Sequence, residues 1–312
     1  MQTKHLEVDV NKEGQRIDNF LIAHFKNVPK SRIYRAIRSG EVRVNKKRAK
    51  QTYRLQMGDI VRIPPIQNYS DDSQTKQEVP KELIEQLENN IIHEDEYILV
   101  LNKPTGIAAH SGTGDRWGVI EIMRASRVHQ PFLELVHRID KETSGCLCLA
   151  KTRRSLLDAQ NALQHENSVK EYTCLVKGQW RVKNKHIHHP IDKQATQQGA
   201  KMIINEEGKE AHSTFSTLEI FPDHTLIKAS IDTGRTHQIR VHAQQEGYPL
   251  VGDKRYGDFE HNRDLAKKGF KRLFLHATYL KLKLMDISQN YEFTAPMPSE
   301  LKSLCRQLRK GL

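Results

Sequence analysis

Five consecutive small or aliphatic residues, Cys146 to Ala150, bounded by Gly145 and by Lys151-Thr152, constrain this chain more than any other stretch. An uninterrupted apolar run of that length between breakers reads as a buried strand. What precedes it is its opposite: His137, Arg138, Asp140, Lys141 and Glu142 crowd into one loop that enters the strand through Thr143-Ser144-Gly145. An Asp two residues after an Arg, in a loop opening onto a core strand, is costly to place there unless it is paired or used. The segment alone leaves both readings open, a structural ion pair at a sheet edge or a working carboxylate.

A chain of 312 residues can hold two domains, or one large domain with an appendage. Its apolar runs, such as Ile98 to Leu101, are far too short to span a bilayer, and residues 1–11 lack the apolar core of a signal peptide. The four cysteines (146, 148, 174 and 305) follow no secreted-scaffold spacing, so the expectation is a cytoplasmic protein with reduced thiols. The net charge of +12 is unevenly spread. Residues 1–66 hold 15 Lys/Arg against 6 Asp/Glu, residues 67–90 hold 2 against 6, and residues 91–312 hold 33 against 26. A basic module, an acidic connector and a milder large domain point to a polyanionic partner.

In the basic module, Gly14 to Phe25 places Ile17, Phe20, Leu21 and Phe25 on one helical face. Ser31 can cap a second helix that Gly40 ends, with Ile33, Tyr34 and Ile37 on one side and Arg32, Arg35 and Arg38 on the other. Val42 and Val44 alternate as in a strand, Lys46 and Lys47 lie in a basic turn, and Leu55 to Ile63 closes the unit. Q-R-I-D-N-F-L, S-R-I-Y-R-A-I-R-S-G-E-V-R-V-N and M-G-D-I-V make residues 14–66 resemble the S4 RNA-binding domain. That resemblance implies an RNA-docking module, with Arg32, Arg35, Arg38, Lys46 and Lys47 as phosphate contacts.

Residues 67–90 read as an acidic linker that includes a short helix from Pro80 to Leu87. Gly112, Gly114 and Gly118 have the wrong spacing for a dinucleotide loop, so no cofactor is expected there. His186, His188 and His189 read as a solvated loop rather than a metal site, and Cys146 and Cys148 lack the second pair that zinc needs. Arg153 to His165 and Thr236 to Glu246 read as helices, as does Pro298 to Leu308. Val169 to Gly178, Thr225 to Ile231, Leu273 to Leu284 and Tyr291 to Thr294 read as strands. Arg235 then sits where strand gives way to helix, a position that can aim a cation into a cleft. His237 and His242 are offset on that helix, and no metal is expected on them.

L-N-K-P-T-G (101–106), H-R-I-D-K-E-T-S-G (137–145), K-E-Y-T-C (170–174) and T-G-R-T-H-Q-I-R-V-H (233–242) with G-Y-P-L-V-G-D-K-R-Y (247–256) are similar to the motifs of the RluA family of pseudouridine synthases. The likeness covers residues 91–312, and with the S4-like front end it is closest to the RluC type within that family, which modifies several uridines of 23S ribosomal RNA. The resemblance implies an α+β protein: a small α/β S4-like domain, then a catalytic domain with a mixed, largely antiparallel central sheet and peripheral helices.

It also implies the chemistry. The N1–C1′ bond of a flipped-out uridine breaks, the uracil turns, C5 joins C1′ and the C5 proton leaves, with no cofactor and no metal. By resemblance Asp140 acts at the sugar, at C1′ or at C2′, with Arg235 as the guanidinium that keeps it ionised. Tyr172 stacks on the base and is a candidate for handling the C5 proton. Arg138 fills the gap left by the flipped base, and Ile239 lies in the floor. Ile139 stands where Leu is usual and Cys174 where a small Ala is common, both volume-tolerant changes. The implied partner is 23S rRNA or a large-subunit assembly intermediate, met by a monomer away from membranes. A binding-only relative would be expected to lack one of Asp140, Tyr172 or Arg235. A methyltransferase would need a glycine-rich cofactor loop, and a kinase a phosphate loop and a D-F-G.

Overall fold

The computed structural model describes residues 3–25, 28–65, 78–112, 115–165, 168–196 and 199–311. They form two units that divide between Glu78 and Val79. Residues 67–77 of the expected acidic linker, and Gly114 of the glycine string, lie outside the described residues.

The small unit runs β1 (Lys4–Glu7), α1 (Ile17–His24), α2 (Lys30–Ser39), β2 (Arg43–Val44), β3 (Lys47–Arg48) and β4 (Ile60–Ile63). Its sheet has the antiparallel order β1-β4-β2-β3. Ile17, Leu21, Ile33, Ile37, Leu55 and Val61 make its core, the faces that the sequence spacing predicts. Gly40 ends α2 in the left-handed conformation at φ +77°. The β2–β3 turn needs positive φ at both central residues, 49° at Asn45 and 67° at Lys46, as suits a right-twisted hairpin. Asp59 holds this turn by accepting from Asn45 Nδ2 at 2.7 Å and from the Tyr53 hydroxyl at 3.0 Å. Lys46 and Lys47 are left exposed.

The large unit opens with α3 (Lys81–Glu88), β5 (Ile91–Glu94), β6 (Ile98–Lys103), α4 (Val119–Ser126), β7 (Glu134–Leu135), β8 (Ser144–Ala150) and α5 (Arg153–Ala162). It continues with β9 (Ser168–Lys177), β10 (Asn184–His188), the hairpin β11 (Ile191–Thr196) and β12 (Gly199–Ile204), β13 (His212–Ile220) and β14 (His224–Ile231). It closes with α6 (Gln238–Gln245), α7 (Phe259–Lys267), β15 (Leu275–Leu284), β16 (Gln289–Thr294) and α8 (Ser299–Arg309). One sheet runs β10-β13-β14-β9-β15-β8-β6-β5, with β16 added on β15 and β7 on β8. Every pairing in it is antiparallel except β8 with β15, so the sheet is mixed and largely antiparallel. All seven residues of β8 are buried, which is why its sequence shows no alternation.

Three sequence expectations need correction. Val79 to Asn90 is no connector: Leu87 of α3 is fully buried in the large unit's core, and that apolar contact outweighs the acidic residues around it. The His186–His188 stretch is strand β10, paired to β13; only Ile187 is buried, so the histidines on its other face mask the pattern. Helix α6 starts at Gln238 rather than Thr236, because His237 is left-handed at φ +57°.

The parallel seam sits directly after the Asp140 loop, pairing Ser144 with His276 and Gly145 with Ala277. Gly145 has φ +112°, and a Cβ there would run into the Ala277 backbone. Beside it, burial pushes the pKa of His276 down to about 4 and so keeps the ring neutral. The neutral ring bridges Ser144 Oγ at 2.9 Å and the Ala295 carbonyl at 3.1 Å. Gly145→Ala should therefore lower the free energy of unfolding by about 3 kcal/mol, read as a shift in urea midpoint at constant slope. A loss below ~0.5 kcal/mol would mean that the seam tolerates a side chain.

Candidate active site

The loop carrying Asp140 is held by backbone contacts from the L-N-K-P-T-G segment. The Lys141 carbonyl accepts from Gly106 N at 2.8 Å and from Lys103 Nζ at 3.2 Å. The Glu142 carbonyl accepts from the Thr105 hydroxyl at 2.8 Å, and Thr143 N closes the turn onto the Asp140 carbonyl at 3.0 Å. Lys103 is fully buried and also donates to the Pro104 and Ile107 carbonyls, each at 2.8 Å. Burial, then the nearby Arg272, push its pKa down to about 7. The motif thus braces the turn that presents Asp140.

The cation at Asp140 is Arg240, not Arg235. Arg240 Nη1 lies 3.3 Å from Asp140 Oδ2, and the residue is only 4% exposed. Its other edge is gripped side-on by the buried carboxylate of Asp253, Nε to Oδ2 at 2.7 Å and Nη2 to Oδ1 at 2.8 Å. Asp253 in turn accepts from the backbone N–H groups of Arg255 and Tyr256, at 2.8 and 2.9 Å. Arg235 lies in the turn before α6, exposed, with Nε on the Glu210 carbonyl at 2.9 Å. Gln238 fixes that turn, accepting from Arg235 N at 3.0 Å and from the Thr233 hydroxyl at 2.8 Å. The side chain at 235 is thereby committed to the rim, while the one at 240, inside the first turn of α6, reaches Asp140.

His237 is the second group facing Asp140, with Nε2 3.8 Å from the same Oδ2. Its Nδ1 is 2.8 Å from the Tyr256 hydroxyl, which itself accepts from Met202 N at 3.0 Å. A phenol that already accepts from an N–H has its own proton to give, so Nδ1 is the acceptor and the ring proton sits on Nε2, toward Asp140. Burial, with Arg240 and Arg255 nearby, outweighs the pull of Asp140 and keeps this imidazole neutral. Tyr256 also lies under Arg240, with the guanidinium carbon 5.1 Å from the ring centroid.

Two cavities meet at Asp140. The larger, about 530 Å³, is lined by Arg138, Lys141, Glu142, His237, Arg240 and Lys254, among others. The smaller brings Asp140 together with Tyr172, Arg235 and Ile239. Burial, then the charge of Asp140, push the Tyr172 hydroxyl well above the ordinary tyrosine pKa, so it remains a neutral phenol. Arg138 is exposed at the mouth, and Ile239 is buried beneath. In the small unit, Arg35 and Arg38 are exposed, whereas Arg32 is tied to Glu41 at 2.7 Å and its charge is largely neutralised.

Sequence reasoning therefore places Asp140, Tyr172, Arg138, Arg235 and Ile239 around one cleft but misses Arg240, Asp253, His237 and Lys103. For Arg240 a signal was present. It stands between Ile239 and Val241 in a helix whose first six residues are all buried, and a cation there requires an acidic partner. No local pattern identifies Asp253 as that partner, since it lies 13 residues downstream beyond a turn.

Comparison with known proteins identifies the family. The sequence profile of the family described as RNA pseudouridylate synthase matches residues 97–245, and that of the S4 domain matches residues 15–61. The chain is 44% identical over 304 residues to the "Ribosomal large subunit pseudouridine synthase C" of Vibrio vulnificus, covering 97% of this chain and 96% of that one. It is also 44% identical over 311 residues to the protein of the same name from Escherichia coli, covering 99% and 97%. Among solved structures, "Human RNA Pseudouridylate Synthase Domain Containing 1" superposes with a TM-score of 0.58 at 25% identity, covering 72% of this chain and 96% of that one. The chain belongs to the RNA pseudouridylate synthases, with an S4 domain ahead of the catalytic one.

Proposed function

We propose that this enzyme isomerises several uridines of 23S ribosomal RNA, in the free RNA or in a large-subunit assembly intermediate in the cytoplasm, using Asp140 at the sugar of a flipped-out nucleotide. One observation carries the assignment of Asp140: its carboxylate stands where the two cavities meet, with Arg240 Nη1 at 3.3 Å and His237 Nε2 at 3.8 Å both facing Oδ2. The hydrogen bond from Arg240 orients the carboxylate through Oδ2 and leaves Oδ1 for attack at C1′ or for proton removal at C2′. The neutral phenol of Tyr172 packs against the freed uracil and can donate to it, but it is a poor base for the C5 proton while its own proton is held so firmly. Arg138 at the mouth fills the stack left by the flipped base, a displacement costing a few kcal/mol. Arg235, on the rim, meets phosphate. The ribosomal substrate is supported by the names of the relatives, and the multiplicity of sites by a recognition that reads RNA shape and ease of unstacking rather than every neighbouring base.

Deleting the gene should erase more than one pseudouridine from 23S rRNA in a sequencing map of modified positions. The wild-type gene should restore them and Asp140→Asn should not, though it removes little binding surface. Loss confined to transfer RNA would overturn the ribosomal substrate, and restoration by the Asn variant would overturn the role of Asp140. Arg240→Lys keeps the charge but cannot grip Asp253 side-on while reaching Asp140, so kcat should fall on the order of 10²- to 10³-fold. Arg235→Met should instead raise KM with little change in kcat. The reverse pattern in steady-state kinetics would return the pairing to Arg235. Replacing Arg35, Arg38, Lys46 and Lys47 together by Ala should flatten the log–log dependence of rRNA affinity on salt by roughly 0.7 for each phosphate no longer neutralised, and leave single-turnover chemistry intact. An unchanged slope would mean that this face does not meet RNA.

A further inference from the structure

The catalytic cleft continues past Lys254, which lines both it and a separate cavity of about 500 Å³ between the Gly252 turn and α7. Phe259, Arg263, Phe270 and Lys271 complete this second cavity. Phe270 is buried, but Phe259 is 59% exposed, an aromatic ring that finds no core to enter. Nearby cations are occupied: Lys177 by Asp258 at 2.6 Å, Lys267 by Asp264 at 2.9 Å, and Arg272 by Glu300 at 2.6 Å. Lys254, Arg263 and Lys271 make no ion pair among the described residues.

The groove is also built on the same frame as the reacting groups. Asn262 of α7 accepts from Gly252 N at 2.8 Å and donates to the Asp253 carbonyl at 3.0 Å. This ties α7 to the residue that grips Arg240. An exposed ring among three cations without an ion pair, opening from a cleft for a flipped nucleotide, matches one ligand chemistry: a single-stranded polyanion with flat apolar rings along it. A membrane surface would call for a broader apolar face, and an acidic peptide gives the ring no partner.

We propose that this groove holds RNA flanking the target uridine, a neighbouring base stacking on Phe259 while its phosphates meet Lys254, Arg263 and Lys271. The inference rests on the catalytic reading of the Asp140 cleft for its direction, but binding itself can be read without catalysis. Because the ring is exposed, Phe259→Leu should leave the melting temperature unchanged while removing the stacking surface. With the full-length protein, its Kd for a fluorescent single-stranded oligouridine should rise about tenfold, and Phe259→Trp should restore it. On a 23S rRNA fragment that the wild type modifies, Phe259→Leu should raise KM by a similar factor and leave kcat alone. Arg263→Gln with Lys271→Gln should reduce the salt dependence of oligouridine binding. A Kd within twofold of wild type in Phe259→Leu, or no change in salt dependence in the double variant, would overturn the groove. If the wild type formed no pseudouridine in 23S rRNA yet oligouridine binding still depended on Phe259, the ribosomal reading would fail and the groove would stand.

Discussion

A guanidinium buried among carboxylates is the costly element of this molecule, and the site is arranged around it. Taking Arg240 out of water costs several kcal/mol before any partner is counted. Asp253 offsets that by meeting it on two parallel hydrogen bonds, at 2.7 and 2.8 Å, while two backbone N–H groups hold Asp253. With two of its three nitrogens committed there, Arg240 has Nη1 left to face Asp140. The geometry at the carboxylate is thereby inherited from a contact 13 residues away along the chain, and the flexibility of an arginine side chain is removed.

The backbone follows the same logic. Asp140 lies in a turn whose carbonyls are taken by Lys103, Thr105 and Gly106, and the chain then enters β8 at the one parallel pairing of the sheet. Gly145 permits that approach because a side chain would meet the Ala277 backbone. Tyr172 arrives on β9, one strand beyond β15, paired to Ala277 itself. A site assembled on paired strands holds its members more closely than one on loops alone, which a reaction with a freed and turning base requires.

Electrostatics divides differently between the units. In the large unit Arg240, which faces Asp140, is buried and paired, whereas in the small unit Arg35, Arg38, Lys46 and Lys47 stand in solvent on a small apolar core. Exposed cations of that kind interact with a polyanion over a Debye length and without fixed geometry.

Elements whose pattern is local were legible from the order of residues alone. The β8 run, the amphipathic faces of α1 and α2, Gly40 at a helix end and the polar cluster around Asp140 are all read from spacing, since burial on one side imposes a period on the chain. The motifs also identified Asp140, Tyr172, Arg138 and Ile239 as neighbours in one cleft. Which arginine faces Asp140 was beyond such reading. Arg235 and Arg240 are five residues apart, and both follow the same strand. The choice turned on His237 taking φ +57° and starting α6 two residues later than periodicity predicts, and on Asp253 arriving from beyond the next turn. Edge strand β10 was hidden for a related reason, because one buried residue, Ile187, leaves no alternation to detect. Pairing between residues distant along the chain, and the burial that makes such pairing obligatory, exist only once the elements have packed.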